Sequence, residues 1–202
     1  MDGKGALSLI RWRDGKTENI TLKLPILGGY SKTAPYNCAK SKTILEQGCE
    51  ILAAKIKTPS YRENPITRSL NALALLASGD PAYLPLVRKE VEWASTFENR
   101  NFQTWYYGYV IMLISEYSLS TGDKTFLPNL KRLAMEAANG QSMVGSWGHR
   151  FANPDGRLAG YGMMNAPGLP LTTSLVLARA AGIDDPKLSQ AIEKSAKLLR
   201  FY

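Results

Sequence analysis

One ten-residue pattern occurs twice, 43 residues apart, and narrows the fold more than any other feature of the chain. Gly79-Asp80-Pro81-Ala82-Tyr83-Leu84-Pro85-Leu86-Val87-Arg88 aligns without a gap with Gly122-Asp123-Lys124-Thr125-Phe126-Leu127-Pro128-Asn129-Leu130-Lys131. The shared pattern is Gly-Asp-x-x-aromatic-Leu-Pro-x-aliphatic-basic. A looser third copy, Gly182–Ile192, carries one residue inserted after its glycine. Glycine ends a helix in the left-handed conformation and aspartate caps the next helix. Each copy therefore reads as the tight turn of a helical hairpin, and a period of this length marks a helical-repeat architecture.

The hydrophobic pattern predicts helices near Cys38–Ile56, Pro65–Ala77, Pro81–Phe97, Thr104–Ser120, Thr125–Asn139, Leu171–Ala181 and Pro186–Phe201. The arms before each turn are apolar nearly all round: LNALALLA from Leu70, YVIMLI from Tyr109 and LTTSLVLARAA from Leu171. The arms after it are amphipathic and charged. A helix apolar all round must be buried on every side, whereas an amphipathic one faces water. Alternation of the two kinds predicts an inner row of helices wrapped by an outer one, a mainly α fold built as an α/α toroid or an open arc of one. A flat α-solenoid is the rival, with layers more alike in burial. These are fewer helices than a closed ring takes, and the sequence ends inside a helical pattern, so a piece of a longer protein is expected.

Ahead of the helices, residues 1–25 read as a β-hairpin: Ala6–Arg13 and Ile20–Leu24 flank an Asp14-Gly15 turn. Residues 26–36 are a linker rich in Pro, Gly and Ser, and 37–202 form the toroid segment. The segment GALSLIRWRDGKTENITLKL resembles the last strands of a PDZ domain. The peptide-binding loop of such a domain lies upstream of these strands, so no ligand role carries over. Cys38 and Cys49 fall in one predicted helix, about 16 Å apart at about 1.5 Å rise per residue, too far for a mutual disulfide. Buried structural thiols are expected there.

The stretch Gly140–Leu171 holds seven glycines and the only histidine, His149. A connector this long and irregular between helices is commonly functional. It opens on the same end as the other long connections, Lys57–Asn64 and Glu98–Gln103. That end also presents the N-termini of the apolar helices, which suits an anion. The candidate mouth gathers Tyr61, Arg62, Arg68, Asn71, Gln103, Trp105, Tyr106, Tyr107, Trp147, His149, Arg150, Asn153, Tyr161 and Asn165.

The residues TWYYGYVIMLISEY, GSWGHRF and GYGMMNAPGLPL look like those of a bacterial helical-toroid family, the DUF6288 type. The resemblance implies a PDZ-like segment followed by a domain similar to the terpenoid-cyclase and prenyltransferase toroids. It further implies a secreted or periplasmic location, and it implies no reaction.

Tested against the residues, several chemistries fall away. A zinc site is disfavoured by one histidine and two distant cysteines, and prenyl transfer loses support with it. Terpene cyclisation needs clustered acids, and Asp184-Asp185 sits in a tight turn that helix capping explains. Glycoside hydrolysis needs two facing carboxylates, whereas the mouth offers Glu63, Glu98 and Asp155. No cofactor is implied. Polysaccharide-lyase chemistry fits the residue types better: it needs a group to bind a uronate carboxylate and a Tyr or His to take the α-proton. His149 and Tyr161 are the candidate acid and base. Arg150, Asn153, Asn165, Arg68 and Asn71 are the candidate polar binders, and Trp105, Tyr106 and Trp147 the stacking surface. A non-catalytic scaffold using the same cavity is the alternative. Trp147 and His149 can equally pin the connector to the helices, and Trp105 and Tyr106 can be core.

A formal charge of +8 admits two readings, an anionic partner or a solvated basic exterior. An anionic glycan or a peptide is the expected partner. The sequence gives no strong nucleic-acid signal, and no apolar run long enough to span a membrane.

Overall fold

The computed structural model describes residues 5–98, 104–158, 160 and 162–201. The chain forms two compact units, Met1–Glu50 and Ile51–Tyr202. In the first, strands β1 (Ala6–Arg13) and β2 (Lys16–Lys23) pair antiparallel, with Arg13 opposite Lys16. Asp14 and Gly15 both take positive φ, 52° and 76°. That is the primed two-residue turn an Asp-Gly pair favours, because its twist matches that of the strands. Ile10 and Trp12 are exposed.

Helix α1 (Ala39–Lys57) begins one residue later than its sequence pattern suggests. Cys38 stands just ahead of it, where its carbonyl accepts the Lys42 N–H at 3.0 Å. Cys38 and Cys49 are both free and buried. Hydrogen bonds from the Ser41 hydroxyl and the Ser31 backbone hold the Cys38 thiol down to about 6.

The second unit holds three helical hairpins. They are α2 (Pro65–Ala77) with α3 (Leu84–Ser95), α4 (Thr104–Thr121) with α5 (Leu127–Asn139), and α6 (Asn165–Ala180) with α7 (Pro186–Leu199). Helix α4 packs between α2 and α6, with α3 and α5 against its other side; α5 and α7 both lie on α6. The result is two rows, α2-α4-α6 and α3-α5-α7. The core lies between them, built from residues such as Leu75, Val91, Ile111, Leu130, Leu171 and Leu188, all at or below 1 % exposed.

The expected burial of the first arms holds for α4, which contributes Val110, Ile111, Leu113 and Ile114 to the core. It does not hold for α2 and α6, which leave Leu70 and Val176 exposed. The reason is position: α4 has a neighbour in its row on both sides, whereas the described helices give α2 and α6 one each. The charged arms behave as expected. Helix α5 buries Leu130, Leu133, Ala134 and Ala137 on one stripe and turns Lys131 to solvent.

Two helix starts differ from the sequence pattern by more than two residues. Between Asp80 and α3 a short 3-10 turn covers Pro81–Tyr83. Helix α6 starts at Asn165, six residues before the sequence pattern begins it, and takes in Pro167, Gly168 and Pro170. Pro167 falls in the first turn, where the missing N–H costs nothing. Pro170 is accommodated by α4: a Cβ on Gly108 would lie 2.9 Å from the Pro170 Cβ, so only glycine lets the two helices cross this closely.

The repeated motif forms the same local structure each time. Gly79 and Gly122 take φ of 72° and 75°, a region that suits glycine. Asp80, Asp123 and Asp185 then accept the backbone N–H two residues on, from Ala82, Thr125 and Lys187, at 2.9, 2.9 and 3.0 Å. The basic residue that closes the motif reaches the next hairpin. Arg88 pairs with Asp123, and Lys131 pairs with Asp185 at 3.4 Å. Counting from the shared leucine (Leu84, Leu127, Leu188), the third copy has buried Ile192 where the others have a cation. Thr125, through its hydroxyl and backbone, holds the Asp123 carboxyl down to about 2, with Tyr117 and Arg88 adding to the effect.

Candidate functional site

The connector from Gly140 to Met164 is laid down on the helices by its own backbone. Ala152 N–H donates to the Gly140 carbonyl at 2.8 Å, Met143 N–H to Gly156 at 2.9 Å, and Met164 N–H to Trp147 at 2.9 Å. Glycine is required where these passes come close. A Cβ on Gly148 would lie 2.6 Å from the Gly162 carbonyl oxygen, and one on Gly140 would lie 2.2 Å from the Phe151 ring.

Trp147 is completely buried, and its indole N–H donates to the Ala137 carbonyl at 2.8 Å. That overturns its expected part in a stacking surface. A ring with no exposed face anchors the connector to α5 instead. Phe151 packs edge-on against Tyr107, with ring centres 4.9 Å apart, and fastens the next stretch to α4.

Between these two anchors the chain brings His149 to the start of α4. The Thr104 hydroxyl donates to the Gly148 carbonyl at 2.5 Å, which fixes the backbone just before the histidine. The Trp105 indole N–H then donates to His149 Nδ1 at 3.0 Å. The two rings lie 5.7 Å apart at an angle of 22°, a stacked arrangement. Because Nδ1 accepts, the neutral imidazole carries its proton on Nε2. Of the acid and base roles expected of His149, this geometry suits the donor. Arg150 follows it, also exposed, and Asn165 opens α6 directly after Met164, which bonds to Trp147.

The other sequence candidates are placed elsewhere. Arg68 is committed to Glu90, a carboxylate at 1 % exposure, and its guanidinium stacks 4.0 Å above the Trp93 ring. Breaking such a pair strands a buried charge, so Arg68 reads as structural. Asn71 donates to the Tyr61 hydroxyl at 3.1 Å. Tyr106 is half-buried and packs edge-on against Phe97. Asn153 is exposed and lies in a hollow beside α7, with Lys187 and Lys194. Tyr161, like Gln103, lies outside the described residues. Of the candidates, the structure brings Trp105 and His149 into contact.

A polar cavity of about 520 Å³ at the end of α3 contains a carboxylate absent from the sequence-based set. Glu136 accepts from the Tyr107 hydroxyl and, at 2.9 Å, from Arg132; Glu98 lines the same cavity. Arg132 also donates to the carbonyls of Ser95 and Phe97 at 3.1 and 3.0 Å, which satisfies the end of α3. The signal available in the sequence was position alone: Glu136 lies in the last turn of α5, at the connector end. No three His, Cys, Asp or Glu side chains gather as a metal site among the described residues. Nor is any helix among them long and apolar enough to cross a membrane.

Stacked helical hairpins with one long connector folded over their ends define a helical-repeat domain, here following a β-hairpin. The model of a domain of unknown function, DUF6288, matches residues 41–202, and the chain belongs to that family. No curated protein and no solved structure matches it.

Proposed function

We propose that the two helix rows are an arc of an α/α toroid, and that the rim around Trp105 and His149 binds an acidic glycan. The observation that carries this is the Trp105–His149 pair: an aromatic face held by a hydrogen bond, with a proton donor beside it. An aromatic plate with adjacent donors is what a sugar ring carrying a carboxylate requires. Arg150 and Asn165 supply the further polar groups. The net charge of +8 raises the local concentration of such a ligand.

A second reading, lyase activity, is favoured by the proton on His149 Nε2. In β-elimination a donor neutralises the uronate carboxylate, a separate base removes the α-proton, and that proton passes to the glycosidic oxygen as its bond to the ring breaks and the double bond forms. His149 would fill the first role and Tyr161 the second. Titrating the protein with an oligogalacturonate, while following tryptophan fluorescence and the ultraviolet absorbance of an unsaturated uronate, tests both. Binding that Trp105→Ala and His149→Ala each weaken about tenfold supports the platform. Turnover that Tyr161→Phe abolishes, with binding kept, supports the lyase. Binding unchanged in Trp105→Ala and His149→Ala rejects the rim as the site.

A further inference from the structure

The connector makes a second hollow, of about 420 Å³, on its other flank, against α7 and the end of α5. Its polar lining comprises Asn139, Gln141, Asn153, Asp155, Lys187 and Lys194. Gln141 is the informative member, because it is 92 % buried and its orientation is fixed. Its Nε2, with two hydrogens to share, has three acceptors in range: the Gly145 carbonyl at 3.2 Å, the Ala191 carbonyl at 2.8 Å and Ser195 Oγ at 2.9 Å. Ser195 Oγ in turn donates to the Gly145 carbonyl at 2.8 Å. Three acceptors around one nitrogen settle which amide atom is which. No described residue donates to Oε1, and it is not one of the side-chain atoms buried without a partner, so it stands as an acceptor with surface open to solvent.

The cations point the same way. Neither Lys187 nor Lys194 has an ion-pair partner among the described residues. They stand seven apart on α7, about 10 Å along the helix axis. The one acid of the hollow, Asp155, is already engaged: it accepts the Arg157 N–H at 3.0 Å, and its carboxylate lies 3.6 Å from Arg157 Nε. Asn139 and Asn153 add amide groups at the edge.

We infer that this hollow is a second binding site, for an acidic oligosaccharide, with Lys187 and Lys194 taking successive carboxylates and Gln141 Oε1 accepting a hydroxyl proton. Two cations at this spacing favour an oligomer over a single small anion. The acceptor favours a hydroxylated ligand over a bare polyacid. The site does not depend on the Trp105–His149 rim, since it uses different residues.

Nuclear magnetic resonance titration of the isotope-labelled chain with trigalacturonate tests the inference. Propane-1,2,3-tricarboxylate, inorganic sulfate and maltotriose serve as comparison ligands at matched ionic strength. Trigalacturonate is expected to shift the Gln141, Asn153 and Lys194 amides, and Lys187→Ala with Lys194→Ala to weaken it about tenfold. Both lysines are solvent-exposed, so the double variant is expected to melt as the parent does. The tricarboxylate, having the charge without the hydroxyls, is expected to bind less tightly. Equal affinity for trigalacturonate and sulfate, or an affinity the double variant leaves unchanged, overturns the site. Shifts confined to Trp105 and His149, and lost in Trp105→Ala, overturn it too while leaving the rim standing.

Discussion

The two ends of the helical array are built on opposite principles. At the turn end, the same few residues recur: a glycine at positive φ, an aspartate that caps, a cation that reaches the next cap. At the connector end nothing recurs. Trp147, Gln141, Thr104 and Phe151 each make a contact with no counterpart in another hairpin. The turn end spreads its stabilisation over several partly exposed groups. The connector end concentrates it in single side chains, of which Trp147, Gln141 and Thr104 are buried. A repeated device specifies the scaffold, and the singular one shapes the hollows.

The largest effect expected from this contrast is at Trp147. Trp147→Ala should cost about 3–5 kcal/mol, the usual range for emptying a buried aromatic site, and urea unfolding measures it. A loss under about 1 kcal/mol would break the comparison, because that is the scale of a surface change. Asp123 comes next. Asp123→Ala removes a cap and the Arg88 clasp and should lower the urea midpoint less than Trp147→Ala does, while Asp123→Asn, which still caps, should lower it less again. The acid limb sharpens the point. A carboxyl held near 2 when folded contributes stability that is fully present above about pH 4. That contribution is lost as the pH falls toward about 2. Asp123→Asn should therefore flatten the stability profile over that window and leave it unchanged at neutral pH apart from a constant offset. Smallest is Gly79→Ala. A Cβ there meets nothing within 4 Å, so only the backbone strain of φ 72° remains. About 1 kcal/mol is expected in thermal or chemical unfolding. A greater cost than that of Trp147→Ala would reverse the ranking of the two ends.

What could be read in the sequence follows the same division. The hairpin turns were legible because Gly-Asp has a fixed local meaning, and the Asp14-Gly15 turn was legible for the same reason. The clasps were half-visible. The motif ends in a basic residue, but nothing local says that Arg88 reaches Asp123, 35 positions along. The early start of α6 was hidden by Pro167, Gly168 and Pro170, whose propensities are overridden by packing on Gly108. At the candidate site, residue type alone suggested Trp147 and Trp105 as equivalent plates. Burial separates them completely, and burial is a property of the assembled helices. Arg68 and Asn71 likewise looked like ligand groups until Glu90 and Tyr61 were seen to hold them.

The clasp between hairpins gives the array a direction. Arg88 and Lys131 each grip the cap of the unit that follows, so a hairpin is matched to its successor through its trailing helix and to its predecessor through its leading turn. Duplication of the α4–α5 unit would recreate a working junction, with Lys131 meeting a copied Asp123. Duplication of α6–α7 would place Ile192 where the grip belongs, leaving the added unit without that ion pair. Copying the middle hairpin would thus carry its clasp with it, whereas copying α6–α7 would not.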